Sequence, residues 1–433
     1  MTLDQAIQHA SDDYPTVRAA LERVNASRAG IDVAHAAYLP RLDSLWQTNR
    51  GTVNNAFGQL LPQSVVPALT GPVLPAVSSQ SVWGSAAGAL LSWEPIDLGL
   101  RRAAVASAEA EVTHARADEA LTRLDVEQAT ASAFLDLVAA ERTIAAAQAD
   151  VTRRATLASA VHTLVDNQLR PGAEASRADA ERATAQTRLI RAQESMALAR
   201  ATLARLLGVP GTAVTIDATP LLNRVPDTDV AARTAPQHPL AQVRQAAVGD
   251  ARAQEEILAR TDRPRLYLES SVFARGSGAG VNGIVDGTSG LGFDRVNWAA
   301  GVQLVFPNAL DFSSLRARRA AAAATARSEA ALYDEALLRI DSEREAAATM
   351  VLAARAAAAN TPLQLAAAEQ SESQARARYQ AGLASIVEIA DAQSLLAAAE
   401  VDDQVARVDV WRALLAQAAA AGDLAPFVDL FHP

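Results

Sequence analysis

Tyr38-Leu39-Pro40-Arg41-Leu42 has a counterpart in the second half of the chain, Asp262-Arg263-Pro264-Arg265-Leu266. A further proline stands 25 residues before the central proline of each stretch, Pro15 in the first case and Pro239 in the second. Other matching stretches in the two halves are also about 210 to 224 residues apart. A repeat of this length is a whole structural half, because solenoid units have periods of about 20 to 50 residues. The sequence therefore predicts a pseudosymmetric or ring-like arrangement.

The composition indicates long helices that pack closely. Of the 433 residues, 50% are hydrophobic but only 4% are aromatic, and alanine supplies much of the apolar content. Alanine-rich sequence with interspersed charges is typical of long helices. The formal net charge is -10, and no basic stripe is visible. This balance argues against binding to nucleic acid.

The absence of cysteine excludes disulfides, thiolate metal sites and cysteine nucleophiles. No run of 18 or more strongly apolar residues occurs, so the sequence predicts no transmembrane helix. The first residues lack a charged segment followed by an apolar one, and we therefore expect a signal peptide to be absent or trimmed.

Proline and glycine divide each half into the same series of elements. Neither residue occurs between Gly99 and Pro171, which predicts a helix on the order of 100 Å long. Leu189, Met196 and Leu203 are spaced for coiled packing of helices. The predicted helices are 3–37 with a break at Pro15, about 99–166, a helix ending near 207, 228–261, 311–378, and a helix ending near 421. The predicted strands are 41–50, 82–93, 265–275 and 295–306.

The last predicted strand alternates between an apolar face and a small or polar face. Its apolar positions are Val296, Trp298, Ala300, Val302, Leu304 and Phe306. This alternation fits a half-buried strand on a soluble core. It also fits a strand of a transmembrane barrel, about 9–11 residues long. Four strands are too few to close a membrane barrel, whose smallest form has about eight, so the second interpretation requires several chains.

The duplicated order of helix, proline, hairpin, proline, long helix, turn and long helix resembles the TolC family of outer-membrane efflux and secretion channels. The resemblance covers essentially the whole chain. Local matches are Leu39-Pro40-Arg41-Leu42, Trp93-Glu94-Pro95-Ile96-Asp97-Leu98-Gly99 and Tyr379-Gln380-Ala381-Gly382-Leu383-Ala384-Ser385.

The resemblance implies a mainly α fold with a small β part, built from two internal repeats. Three chains would contribute four strands each to a twelve-stranded outer-membrane barrel, and long helices would form a periplasmic α-barrel. The implied divisions are an N-terminal equatorial region 1–39, a β-hairpin 40–96, a helical hairpin 97–208, an equatorial linker and helix 209–263, a second β-hairpin 264–307, a second helical hairpin 308–421, and an equatorial tail 422–433.

The resemblance also implies contact between the periplasmic tip and an adaptor protein. Arg170-Pro171-Gly172-Ala173 resembles Gln380-Ala381-Gly382-Leu383 at the two tip turns. The expected contact residues are Pro171, Gly172, Ala173, Gly382 and Leu383. A simpler interpretation is that both glycines cap helix C-termini, where glycine accepts left-handed geometry. The further partners implied are two identical chains, outer-membrane lipid and, indirectly, an inner-membrane transporter.

Glu388 and Asp391 are three residues apart, so they share one face of the helix that follows the tip. Their positions resemble those of two acidic residues that ring the closed aperture in the family. Three-fold symmetry would bring six carboxylates around one axis, which would raise their pKa values and favour cations over anions. The alternative is an ordinary solvated acidic face.

Tyr379 resembles a family residue that tethers the inner and outer helix pairs near the gate. The expected acidic partner in the first half falls on Ala178. Asp179 is one residue further on, and Arg177 and Asp179 are the available substitutes. A shift of one residue turns a helix by about 100°. The resemblance therefore implies a gate tether between Tyr379 and Asp179, with altered geometry.

No catalytic constellation or cofactor site is predicted. Gly278-Ala279-Gly280-Val281-Asn282-Gly283 fits G-x-G-x-x-G, but a strand follows it where a dinucleotide site needs a helix. The six histidines, at 9, 35, 114, 162, 238 and 432, are scattered. The resemblance therefore implies a passive exit duct of a tripartite efflux pump or type I secretion system, gated at its tip, and no enzyme. The alternatives are a soluble coiled-coil scaffold and, more narrowly, a metal-ion efflux component; the sequence does not identify the cargo.

Overall fold

The computed structural model describes residues 1–431 except 69–70, 212–213, 220, 222–225, 228, 231–233, 282–284, 287 and 309–310. The first half forms the predicted series of elements. These are helices α1 (Leu3–Asp13) and α2 (Pro15–Ala36), strands β1 (Arg41–Thr52) and β2 (Ser81–Ile96), and helices α3 (Leu100–Asp166) and α4 (Gly172–Leu207).

The second half repeats this series. It consists of helix α5 (Pro239–Arg260), strands β3 (Arg265–Ser277) and β4 (Arg295–Val305), helices α6 (Phe312–Gln380) and α7 (Ile386–Ala421), and a short helix α8 (Ala425–Val428). The predicted start of α5 at residue 228 is wrong. The chain first makes a 3-10 turn at Ala235–Gln237, and Pro239 begins the helix because its fixed φ suits the first helical turn.

The chain divides into two compact units, and one of them contains the sheet. This unit comprises Ala26–Val112 and Val248–Ser328. Its four strands are antiparallel in the order β1-β2-β3-β4. Within this sheet β1 and β4 each pair with one strand, so each leaves one edge of backbone groups available for pairing.

The two faces of the sheet differ in character. Trp298 lies beside Val272, which lies beside Ala89, and these residues belong to one face. That face carries large exposed apolar side chains, including Trp298 (79% exposed) and Trp46 (70% exposed). The other face carries residues such as Asp43, Gln47, Phe273 and Arg275. The alternation predicted from the sequence is therefore present across the sheet.

The second unit comprises Met1–Asn25, Thr113–Ala247 and Glu329–Pro433, and it is helical. Its largest core cluster includes the fully buried side chains of Phe134, Leu203, Trp411 and Phe427. Trp411 stacks on Phe431 and donates a hydrogen bond from Nε1 to the oxygen of Leu221, 2.8 Å away. Among the residues that the structure describes, no helix is long and apolar enough to cross a membrane.

Helices α4 and α7 are equivalent elements of the two repeats. Each contains 36 residues, and each ends at a glycine in the left-handed conformation, Gly208 (φ 66°) and Gly422 (φ 78°). Their first residues, Gly172 and Ile386, therefore correspond. The sequence comparison had set Gly172 against Gly382, which is four residues out of register.

Candidate functional site

The turn between α6 and α7 is built on Gly382. Its φ of 75° lies in the left-handed region, which favours glycine. The amide of Gly382 donates to the oxygen of Tyr379 at 3.0 Å, and the amide of Leu383 donates to the oxygen of Arg378 at 2.9 Å. These bonds satisfy the last carbonyls of α6. Gly382 is thus a helix C-cap, as expected, and Leu383 is left 72% exposed.

The turn between α3 and α4 has the same geometry but different residues. Gln168 takes the left-handed position with φ 58°, and the amide of Leu169 donates to the oxygen of Leu164 at 2.8 Å. Leu169 is 68% exposed. The counterparts of Gly382 and Leu383 are therefore Gln168 and Leu169.

Gly172, which sequence comparison placed at this turn, begins α4 instead. Pro171 is the N-cap residue of α4, and Ala173 lies in its first turn. The interpretation of Gly172 as a C-cap is wrong, because its backbone is already helical in α4. Nothing lies within 4 Å of a Cβ atom built at Gly172, so the position does not require glycine. Comparing helix lengths, rather than matching glycines, would have found the correct register.

Tyr379 connects the two repeats at the tip. Its side chain is almost fully buried, and its hydroxyl donates to Oε2 of Glu174 at 2.7 Å. Burial, together with the hydrogen bond to this carboxylate, raises the pKa of Tyr379 to about 12. Arg170 lies over the ring, with its Cζ atom 4.8 Å from the centroid, and donates to the oxygen of Tyr379 at 3.1 Å. Arg170 also lies 3.6 Å from Glu174.

Asp179, expected as the partner of Tyr379, pairs with His162 of α3 at 3.0 Å. The physical reason is helical geometry. Ala178 is buried in the same cluster as Tyr379, and Glu174 lies one turn earlier on the same face of α4. Asp179 is turned by about 100° from that face. The proposed substitute Arg177 pairs with Glu181 at 3.5 Å.

The two acidic residues Glu388 and Asp391 lie in the first turns of α7 and are both exposed. Oε1 of Glu388 forms an ion pair with Nε of Arg378, which lies 3.2 Å away. Asp391 has no ion pair among the residues that the structure describes. Glu174 is the counterpart of Glu388 in the first repeat, so equivalent carboxylates serve different contacts. The acidic ring stays a prediction, because it requires neighbouring copies of the chain.

A buried arginine cluster, which sequence reasoning missed, joins α3 to α4 and α7. The side chain of Arg154 is 1% exposed and contacts Asp150 at 2.9 Å, Glu181 at 2.7 Å and the hydroxyl of Ser394 at 2.9 Å. The neighbouring Arg153 binds both carboxylate oxygens of Glu400, at 2.7 and 2.6 Å. The only sequence signal is the Asp150–Arg154 spacing of four, which is common on exposed helices.

No group of three or more metal-ligating side chains comes together in the described part of the chain. The glycine-rich segment begins directly after β3 and is followed by a short 3-10 turn and β4. Asn282 and Gly283 of that segment, and His432, lie outside the described residues.

Comparison with known proteins gives one family and a shared fold. Residues 6–209 match the profile of the family described as outer membrane efflux protein. No curated protein is matched by sequence. VceC of Vibrio cholerae is 19% identical with a TM-score of 0.75, over 97% of this chain and 96% of that one.

Two further channel structures show the same fold. CmeC of Campylobacter jejuni is 16% identical with a TM-score of 0.77, over 97% of this chain and 85% of that one. The open state of MtrE of Neisseria gonorrhoeae is 19% identical with a TM-score of 0.75, over 97% and 89%. The predicted fold, mainly helical with four strands in two repeats, is confirmed.

Proposed function

Since residues 6–209 match the outer membrane efflux protein family, we propose that the chain belongs to this family and is the exit duct of a tripartite efflux pump or a type I secretion system. It would act as a passive conduit that is gated at its periplasmic tip. The observation that carries this proposal is the exposed apolar face of the four-stranded sheet.

That face is suited to lipid. Leu42, Trp46, Val296, Trp298 and Val302 are each between 68% and 79% exposed. A contiguous apolar surface of this kind is unfavourable in water at about 25 cal/mol per Å². Strands of outer-membrane barrels place their apolar residues outward in this alternation. The sheet therefore fits an outer-membrane wall.

Closure of this wall requires further copies of the chain. The edges of β1 and β4 leave backbone groups that lipid could not satisfy. Pairing of β1 of one copy with β4 of the next would satisfy them in a ring. Three copies would give the twelve strands that the resemblance implies. A homotrimer is therefore part of the proposal.

The tip supports the proposed adaptor contact and the proposed gating. Leu169 and Leu383 are exposed at equivalent turns, and they offer two apolar contacts for a periplasmic adaptor. The bond between Tyr379 and Glu174 joins the repeats directly behind these turns. Binding of an adaptor to the turns could therefore break this bond and open the gate. The transporter in the inner membrane would supply the energy.

The test is reconstitution of the full chain. The proposal predicts a trimer that requires detergent for extraction and conducts ions in planar lipid bilayers. A protein that purifies without detergent and shows no conductance would instead be the coiled-coil scaffold. For the adaptor contact, Leu169→Asp and Leu383→Asp should weaken binding to a cognate adaptor. Leu363→Asp is the matched control, because Leu363 is 70% exposed on α6.

A further inference from the structure

The connection between β1 and β2, residues 53–80, has an unusual composition for a surface loop. It contains no Asp, Glu, Lys, Arg or His. Its apolar content is high, and four prolines, at 62, 67, 72 and 75, stiffen it. Loops that face water on both sides are usually polar and carry charges. The composition therefore indicates that the loop packs against another part of the protein.

The described part of this loop lies on one face of the sheet. Val65 and Val66 are buried, and they pack against Ala86 of β2 and Phe273 of β3. Leu45 and Leu90 border the same cluster. The strand register places Leu45, Gly88 and Phe273 side by side, so all of these contacts belong to a single face.

Hydrogen bonds from the same face hold the loop. Arg275 donates to the oxygens of Phe57 and Gly58, at 2.6 and 3.1 Å. Asn49 donates to the oxygen of Gln59 at 2.7 Å. The Cζ atom of Arg295, which is paired with Arg275 in the sheet, lies 4.7 Å from the ring centroid of Phe57. The loop is thus fastened by three polar side chains and two apolar clusters, the second of which contains Val53 and Leu74 of the loop with Val82 and Ala279.

This face is opposite to the exposed apolar face that carries Trp46, Val272 and Trp298. If the latter meets lipid, as the proposed function requires, the loop lies on the side of the pore. We propose that residues 53–68 and 71–80 form an apolar collar in the outer mouth of the channel. The collar would oppose the passage of hydrated ions and favour apolar or amphipathic cargo.

A twelve-stranded barrel would be narrow enough for three such loops to constrict it. Twelve strands spaced by about 4.8 Å and tilted by about 40° give a barrel with a backbone radius of about 12 Å. A layer packed on a sheet face lies about 10 Å from it. A loop on the inner face of each copy therefore fills most of the radius, and the side chains of the loop define the opening.

The large apolar side chains of the loop include three that are well exposed. Leu61 is 54% exposed, Val73 is 78% exposed and Val77 is 96% exposed. A narrow passage lined by such groups excludes water and ions by dewetting, whereas an apolar solute has little hydration to lose. Charge on the collar should therefore wet it and raise the ion current.

The experiment is planar-bilayer recording of the reconstituted full chain carrying Val73→Asp and Val77→Asp. We expect the ion conductance to rise at least twofold. The matched control is Leu363→Asp, because Leu363 is 70% exposed on α6 and lies outside the loop. The control should leave the conductance unchanged.

The recordings are made both in the native background and with Tyr379→Phe, so that a closed tip does not hide the effect. Unchanged conductance in both backgrounds would overturn the collar while leaving the channel intact. Loss of all conductance, including that of the unaltered protein, would instead overturn the proposed function.

A second measurement covers variants that assemble poorly. Since the chain has no cysteine, Val77→Cys provides a unique thiol for a charged methanethiosulfonate reagent. Reaction should change the current through Val77→Cys channels by at least twofold and leave Val302→Cys channels unaffected, because Val302 lies on the apolar face that the proposed function assigns to lipid. Equal responses of the two channels would place residue 77 outside the pore and refute the collar.

Discussion

Replacing Tyr379 by phenylalanine isolates the contribution of one hydrogen bond to the proposed closure of the tip. The ring would stay in its cluster with Val161, Ala178 and Ile389. The backbone oxygen of residue 379 would still accept from Arg170, and the guanidinium could still lie over the ring. Only the 2.7 Å bond from the hydroxyl to Glu174 would be lost.

The magnitude follows from the charge of the acceptor. A hydrogen bond to a charged group contributes about 1.5–3 kcal/mol, which corresponds to a shift of roughly 10- to 150-fold in the ratio of open to closed states per protomer. We expect a corresponding rise in the open probability of single channels in planar bilayers. Smaller effects are expected for Glu174→Gln, whose amide oxygen still accepts a hydrogen bond.

Tyr333→Phe is the control, since Tyr333 is a partly buried tyrosine on the same helix. No hydrogen bond from its hydroxyl occurs among the described residues. If Tyr379→Phe and Tyr333→Phe channels had the same open probability, the tether would not hold the tip closed.

The same bond predicts a dependence on alkaline pH. The pKa of Tyr379 is raised to about 12 by burial and by the bond to Glu174, whereas the ordinary value is about 10. A raised pKa means that the stabilisation is fully present below about pH 10 and is lost as the pH rises towards about 12. Open probability should therefore not change through this residue between pH 7 and 9. A rise above pH 10 should be smaller in Tyr379→Phe.

Three further pairs of substitutions test other parts of the structure. Asp391→Asn should lower cation selectivity more than Glu388→Gln in bilayer reversal potentials, because Arg378 already neutralises Glu388; equal effects would argue against this difference. Gly208→Ala should cost about 1–2 kcal/mol for its left-handed φ. Gly422→Ala should cost more in thermal unfolding, since its Cβ atom would lie 2.7 Å from Cδ of Pro239. Arg154→Met should destabilise the protein by about 3–5 kcal/mol because it leaves Asp150 buried without its close partner, whereas the exposed pair removed by Arg339→Met should contribute less than about 1 kcal/mol.

The sequence predicted the elements because their signals are local. Alternation identified β4, and the absence of proline and glycine after Gly99 identified α3. The start of α5 was predicted too early, because Pro236 was not treated as a breaker. Pro236 lies in the 3-10 turn Ala235–Gln237, and the helix begins only at Pro239. Propensity gives the existence of an element more reliably than its boundary.

The side-chain partners at the tip could not be predicted in the same way. Glu174 and Tyr379 are 205 residues apart in sequence, and their contact depends on the rotation of α4 against α6. When the two repeats are aligned a few residues out of register, Asp179 is selected as the partner in place of Glu174. Arg154 was missed for a related reason, because burial makes it important and burial is a property of the assembled helices.

The proposed duct would have two barriers of different physical kinds. At the tip, directional bonds such as that between Tyr379 and Glu174 hold helices together, and a partner can break them. At the outer mouth, an uncharged loop would oppose ions because they must lose hydration water to pass, and this barrier needs no conformational change. Barriers in series share the total resistance, and the larger one dominates. Adding charge at Val73 and Val77 should therefore change the current most in channels whose tip is already open, and a collar effect of equal size with the tip closed would contradict a serial arrangement.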